Sequence, residues 1–179
     1  MRVRKTLVAI VNEINIGGFR LMNKVHFSSD SVEWETPQAL FDLINSVANF
    51  ETDVCASPDK AKCPVFYTPE VDGLAQDWSG MCWMNPPYGR SISNWMRKAE
   101  HESRKPDTTV VCLLPARTDT AWWHEYALKG MVLYIRGRLK FGGHKNSAPF
   151  PSAIVVLGGN MELWSRLQQQ LTSKGVPCQ

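Results

Sequence analysis

The sequence predicts an α/β fold, compact and arranged around a central, mostly parallel sheet. Three observations carry that expectation. Thr109 to Leu114 is almost continuously apolar, the pattern of a parallel strand covered on both faces. Two stretches, Leu40 to Ala48 and Ile92 to Ala99, repeat apolar residues at helical spacing. Between them an apolar run, Met81-Cys82-Trp83-Met84, leads into Asn85-Pro86-Pro87-Tyr88-Gly89 and out into a helix expected from Ser93. A length of 179 residues, with 44% hydrophobic and 21% charged residues, suits one globular domain with a real core.

Residues 1–27 read as an N-terminal extension. Leu7 to Ile16 fits a strand or a short helix, Gly17-Gly18 breaks any regular element, and Met22 is a plausible alternative start, so residues 1–21 are expected to be dispensable. Residues 28–179 are expected to form a single domain, entered through a polar linker at Ser28 to Ser31. After Trp34-Glu35, Thr36 can cap a helix that starts at Pro37 and buries Leu40, Phe41, Ile44, Val47 and Ala48. Phe50 to Ala56 reads as a short strand with Asp53 near its carboxyl end, where open α/β sheets bind ligands; an ordinary turn aspartate looks the same. Ser57 to Gly80 is loop-rich and shows no complete strand and helix. Within it Asp72-Gly73-Leu74 and Asp77-Trp78 each set a carboxylate beside an apolar side chain, as an adenine site requires and as surface acids also do.

Beyond the central motif, Ile92, Trp95, Met96 and Ala99 form a helical stripe, with the charged stretch Arg97 to Asp107 as its solvated end and a loop. The strand Thr109 to Leu114 ends at Pro115-Ala116-Arg117, and Thr118 or Asp119 can cap a helix holding Trp122, Trp123, Tyr126 and Leu128. Met131 to Ile135 and Pro151 to Leu157 are two late strands. Between them Arg136, Arg138 and Lys140 precede Phe141 and a flexible loop, which suits phosphate contacts beside an inserted base or, equally, a solvated hairpin. Met161 to Leu171 is an amphipathic helix expected to pack on the sheet.

The motif at 85–88 is poor secondary structure and good chemistry. Two consecutive prolines remove two backbone donors and fix two φ angles, so the Asn85 carboxamide and the Pro86 carbonyl can stand as rigid neighbouring acceptors. Together they can grip one planar amino group, with the ring of Tyr88 as a face for the plane that carries it. Such dipeptides also mark plain turns; the apolar run before this one and the helix after it favour a site.

Composition narrows the rest. A net charge of +3 and a pI of about 8.6 permit nucleic-acid binding without the stronger basicity, above ~9, of a dedicated basic domain. The five cysteines are odd in number, form no Cys-x-x-Cys pair and keep no zinc spacing with the histidines, so neither a disulfide scaffold nor a metal site is expected. Cys82 and Cys112 fall inside apolar runs and read as core. The apolar patch from Leu7 to Val11 is too short to span a bilayer, and the chain reads as cytoplasmic.

Read in order, Trp34-x-Thr36-Pro37, Asp53-Val54-Cys55-Ala56, Asp72-Gly73-Leu74, Asn85-Pro86-Pro87-Tyr88, Leu114-Pro115-Ala116, Thr118-Asp119-Thr120-x-Trp122 and Gly137-Arg138-Leu139-x-Phe141 resemble the phage-type Dam DNA N6-adenine methyltransferases. The resemblance covers roughly residues 26 to 158. It implies a Rossmann-like methyltransferase fold, S-adenosylmethionine as donor, adenine N6 in double-stranded DNA as acceptor, and a phage or prophage protein working in a bacterial cytoplasm. Carried across, it implies a catalytic role for Asn85, Pro86, Pro87 and Tyr88. Trp34, Thr36, Pro37, Asp53, Cys55 and Ala56 would hold the cofactor, with Asp72, or secondarily Asp77, on its adenine. Arg90, Arg117, Thr118, Trp122, Arg136, Arg138, Lys140, His144 and Lys145 would face DNA. One departure is plain: no Gly-x-Gly follows Asp53, and only 18 residues separate Asp53 from Asp72, so the usual second strand must be compressed or missing. With no segment for a separate recognition domain, loops 117–123 and 138–149 are expected to read the DNA. Enzymes that methylate protein glutamine or RNA guanine share the four-residue motif, and a non-catalytic DNA-binding module of the same fold is a further alternative.

Overall fold

The computed structural model describes residues 33–142, 144–159 and 161–176; the expected extension and polar linker lie outside them. The apolar runs become six strands of one sheet, β1 (Thr52–Asp53), β2 (Val65–Phe66), β3 (Gly80–Met84), β4 (Thr108–Pro115), β5 (Met131–Ile135) and β6 (Ser152–Leu157). The amphipathic stretches become α1 (Gln38–Ala48), α2 (Ile92–Glu102), α3 (Ala121–Glu125), extended by a 3₁₀ turn at Ala127–Lys129, and α4 (Met161–Ser173).

The spatial strand order is β2-β1-β3-β4-β6-β5. β2, β1, β3 and β4 run parallel, and β6 is antiparallel to both of its neighbours. Every residue of β6 is buried, as is every residue of β4 except Thr109, because helices cover both faces of the sheet's centre. α1 packs on α4, while α2 meets β4 and α3. The chain leaves β1 for β2 on one side and returns as β3 on the other, so the sheet has its switch point between β1 and β3. That is where an open α/β sheet parts its loops and leaves a crevice.

Three local expectations are corrected. Thr36 does not cap α1: the helix begins at Gln38 with no side-chain cap, Pro37 supplies the first carbonyl to Leu40 and Phe41, and the Thr36 hydroxyl is engaged elsewhere. The residue before α3 is Thr120 rather than Thr118 or Asp119, and its hydroxyl donates back to the Arg117 carbonyl at 2.7 Å. The acids near the end of α2 are not solvated. Glu102 is buried with Lys98 at 2.8 Å, Lys105 and the Trp78 amide as partners, and Glu100 pairs with Arg104 and Lys129. The loop-rich stretch after Ser57 holds, as expected, no complete strand and helix: its one element is the two-residue β2, held to β1 by Tyr67 N–H on the Asp53 carbonyl at 2.9 Å. A second strand of two residues is the compression that the short spacing between Asp53 and Asp72 requires.

Candidate active site

The site forms because two strand ends stand side by side. Asp53 of β1 pairs in register with Trp83 of β3, and the Val54 amide donates to the Trp83 carbonyl at 3.0 Å. Asp53 and Asn85 therefore leave adjacent strands at the switch point, above a cavity of about 320 Å³. That volume lies at the small end of ordinary ligand sites, ~300–1,000 Å³. Trp34, Thr36, Asp53, Cys55, Ala56, Asn85, Pro86, Pro87 and His144, all singled out from sequence, line it.

The Asn85 carboxamide is oriented by the segment before α1. Its Nδ2 donates to the Trp34 carbonyl and, at 3.0 Å, to Thr36 Oγ1. Both amide hydrogens are thereby assigned, and the buried Oδ1 is left with no partner among the described residues. An unpartnered buried acceptor costs ~1–3 kcal/mol unless something that enters the cavity donates to it. The Trp34 ring is held by edge contacts with Phe141 and Phe150 and stacks on His144 with centroids 4.1 Å apart. The Gly142 amide donates to the Glu35 carbonyl at 2.9 Å, which fastens the loop after β5 over the cavity.

Charges of both signs meet at the β1 end. Burial raises the Asp53 pKa, against the Lys62 and Cys55 amides and the Lys62 charge, which lower it. Burial, reinforced by Asp53, pushes the Cys55 thiol well up against the opposing Asn85 backbone N–H, so Cys55 stays neutral and offers shape rather than a nucleophile. Glu35, Lys60, Lys62 and Trp83 also line the cavity, and sequence reasoning had not singled them out. The one available signal was Lys60-x-Lys62, two cations at alternate positions just after the Asp53 loop.

Other expected residues lie elsewhere. Tyr88 is buried outside the cavity lining, its hydroxyl donating to the Leu113 carbonyl at 3.0 Å and its ring at 75° to Phe150. It ties the Pro-Pro turn to β4 and offers no open face for stacking. Pro37 is absent from the lining, as are Asp72, which accepts the Leu74 amide at 3.1 Å, and Asp77, an exposed partner of Lys105. Trp122 is a core residue, 7% exposed and edge-on to Trp123, so it is not free to meet DNA. Arg90, Thr118, Arg136, Arg138, Lys140 and Lys145 are exposed, and Arg117 is half-buried. Burial pushes the Cys82 thiol up to about 12, in keeping with a core role. Among the described residues no group of three or more His, Cys, Asp or Glu is placed to hold a metal, and no helix is long and apolar enough to cross a membrane.

A mostly parallel sheet with its cavity at the switch point, roofed by an Asn-Pro-Pro turn, defines a Rossmann-like α/β protein of the methyltransferase class. A sequence model of the DNA N-6-adenine-methyltransferase (Dam) family matches residues 26–161, and the chain belongs to that family. It is 37% identical over 98 residues to the DNA N-6-adenine-methyltransferase of Haemophilus phage HP1 (strain HP1c1), covering 53% of this chain and 56% of the phage protein. It is 39% identical over 64 residues to the "Putative methyltransferase YfdM" of Escherichia coli (strain K12), covering 31% of this chain and 70% of that one. The aligned segment thus spans just over half the length of the phage relative.

Proposed function

We propose that this protein transfers a methyl group from S-adenosylmethionine to the N6 amine of an adenine turned out of duplex DNA. The observation that carries the reading is the buried, unpartnered Oδ1 of Asn85, oriented toward service as an acceptor because both of its amide hydrogens are committed. Asp53, Cys55, Ala56, Trp34 and Thr36 would hold the donor, in a cavity whose carboxylates and ammonium groups match a ligand bearing charges of both signs. When bound, the donor supplies an electrophilic methyl group on a sulfonium.

The chain's own part is positioning and charge stabilisation. Extruding a base costs a few kcal/mol of unstacking, which contacts in the site must offset. Asn85 Oδ1 and the Pro86 carbonyl accept from the two N6 hydrogens, hold the nitrogen lone pair in line and stabilise the positive charge that develops on it. Thr36 and the Trp34 carbonyl keep the carboxamide from rotating. Tyr88 acts from beneath, by anchoring the turn on β4. The exposed cations of the loop after β5 meet DNA phosphates, and a bacterial cytoplasm is where such DNA would be encountered.

The test is methyl transfer from labelled S-adenosylmethionine to unmethylated duplex DNA, with digestion and identification of the modified nucleoside. N6-methyladenine should form with the natural protein and vanish with Asn85→Ala, whose thermal unfolding stays near normal. Label appearing in RNA or in protein glutamine instead, or a fully active Asn85→Ala, would overturn the assignment.

A further inference from the structure

The donor reading leaves one half-buried charge without a task. Lys62 has a side chain only 9% exposed, yet among the described residues its ammonium group makes a single close hydrogen bond, to Gln38 Oε1 at 2.9 Å. Its distance to the Glu35 carboxylate is 3.6 Å, longer than a direct hydrogen bond, and Lys60 stands 3.8 Å from the same carboxylate. A lysine ammonium carries three donors, so this one is under-used, and burial makes that costly. It lines the same cavity as Asn85.

Lys62 is also bound up with Asp53. Its backbone amide donates to Asp53 Oδ2 at 3.1 Å while its side-chain charge acts on the same carboxylate. One short loop therefore presents a carboxylate and an ammonium group to the same cavity at the end of β1. An α-amino acid end is the ligand feature with that complementary pair of charges: its amine suits Asp53 and its carboxylate suits Lys62. We infer that Lys62 is the binding residue for the carboxylate of the donor's methionine end, with Lys60 in support and Glu35 holding both cations until the ligand arrives. The inference rests on the donor reading above and assigns a partner for one group of that ligand.

Binding calorimetry on the full chain tests it without catalysis, with three probes: S-adenosylhomocysteine, its analogue lacking the carboxylate, and 5′-methylthioadenosine, which lacks the whole amino-acid end. Charge-assisted hydrogen bonds are worth roughly tenfold to a hundredfold in affinity. Lys62→Met should lose that factor for S-adenosylhomocysteine, keep the affinity of the natural protein for 5′-methylthioadenosine, and show no further loss when the carboxylate is removed from the ligand. Lys62→Arg should recover part of the loss. Equal weakening of all three probes would make Lys62 a structural residue and overturn the assignment, as would independent losses from variant and analogue. Should Lys62→Met fail to fold, the natural protein still decides: equal affinity for S-adenosylhomocysteine and its carboxylate-free analogue overturns the clamp. No binding of S-adenosylhomocysteine to the natural protein would overturn the donor reading itself, a failure seen before any variant is made.

Discussion

At Asn85 the proposed chemistry turns on the hydrogen bonds that the carboxamide oxygen does not make. A free carboxamide can turn over and present either end, but here two acceptors from the segment before α1 claim the nitrogen and leave the oxygen. On the proposed function Thr36 acts as a positioning residue. Thr36→Val removes one of the two acceptors while keeping the branched shape, and one hydrogen bond of ~1 kcal/mol predicts a several-fold to tenfold fall in single-turnover rate. Thr36→Ser should restore the rate, which separates the hydroxyl's role from packing; a valine variant as fast as the natural protein would remove Thr36 from the site. Thr36-Pro37 was legible as important and ambiguous in role, since a threonine before a proline reads well as a helix cap. Only the register that brings residue 36 against residue 85 decides between the two uses, and no local pattern encodes a contact across 49 positions.

Among the elements, α2 and the loop before β3 form a unit that local pattern disguised. Charges from Arg97 to Asp107 read as a solvated helix end, yet Glu102 is 1% exposed and joins Trp78 of the preceding loop to Lys98 and Lys105. The Trp78 indole in turn donates to the Gly73 carbonyl at 2.8 Å, and a Cβ on Gly73 would lie 2.0 Å from the Val54 carbonyl at the end of β1. The loop is pressed against the strand that carries Asp53, which gives Asp72-Gly73-Leu74 a structural reason for its glycine although the Asp72 carboxylate lies away from the cavity. Burial alone would raise the Glu102 pKa, but hydrogen bonds from Lys105, Lys98 and the Trp78 amide bring it from 4.5 down to about 2. Its folded-state value is depressed, so its stabilisation, up to about 3 kcal/mol, is present above pH ~4.5 and is lost as pH falls toward ~2. The natural protein should therefore lose thermal stability between pH 5 and pH 2.5, roughly. Glu102→Gln should be less stable at neutral pH and show a shallower acid slope; parallel curves would show that Glu102 does not carry the effect. The strands were legible because a two-sided burial leaves continuous apolar runs, whereas β2 was not, since two exposed residues leave no pattern.

Over the whole molecule a net charge of +3 is too small to steer DNA by itself, so the proposed function requires that the arrangement of the charges do it. The loop between β5 and β6 is where arrangement and chemistry meet: Arg136, Arg138, Lys140 and Lys145 are exposed along it, while Gly142 and His144 line the cavity. A phosphate held by its outer side would place the duplex over the crevice between β1 and β3, with the Glu35–Gly142 pairing as the rigid link between the two functions. Contacts of this kind set position and carry no sequence information, so their loss should weaken all duplexes alike. Arg138→Ala is expected to lower affinity for duplexes with and without a target adenine by the same factor, and to reduce the slope of log affinity against log salt by about 1. The rate of methyl transfer at saturating DNA should be unchanged, because the cavity keeps its lining. Fluorescence anisotropy across a salt series gives the slope, and single-turnover labelling gives the rate. An unchanged slope would move the DNA face away from this loop, whereas a changed rate at saturation would mean that Arg138 acts on the cavity rather than on the phosphate backbone.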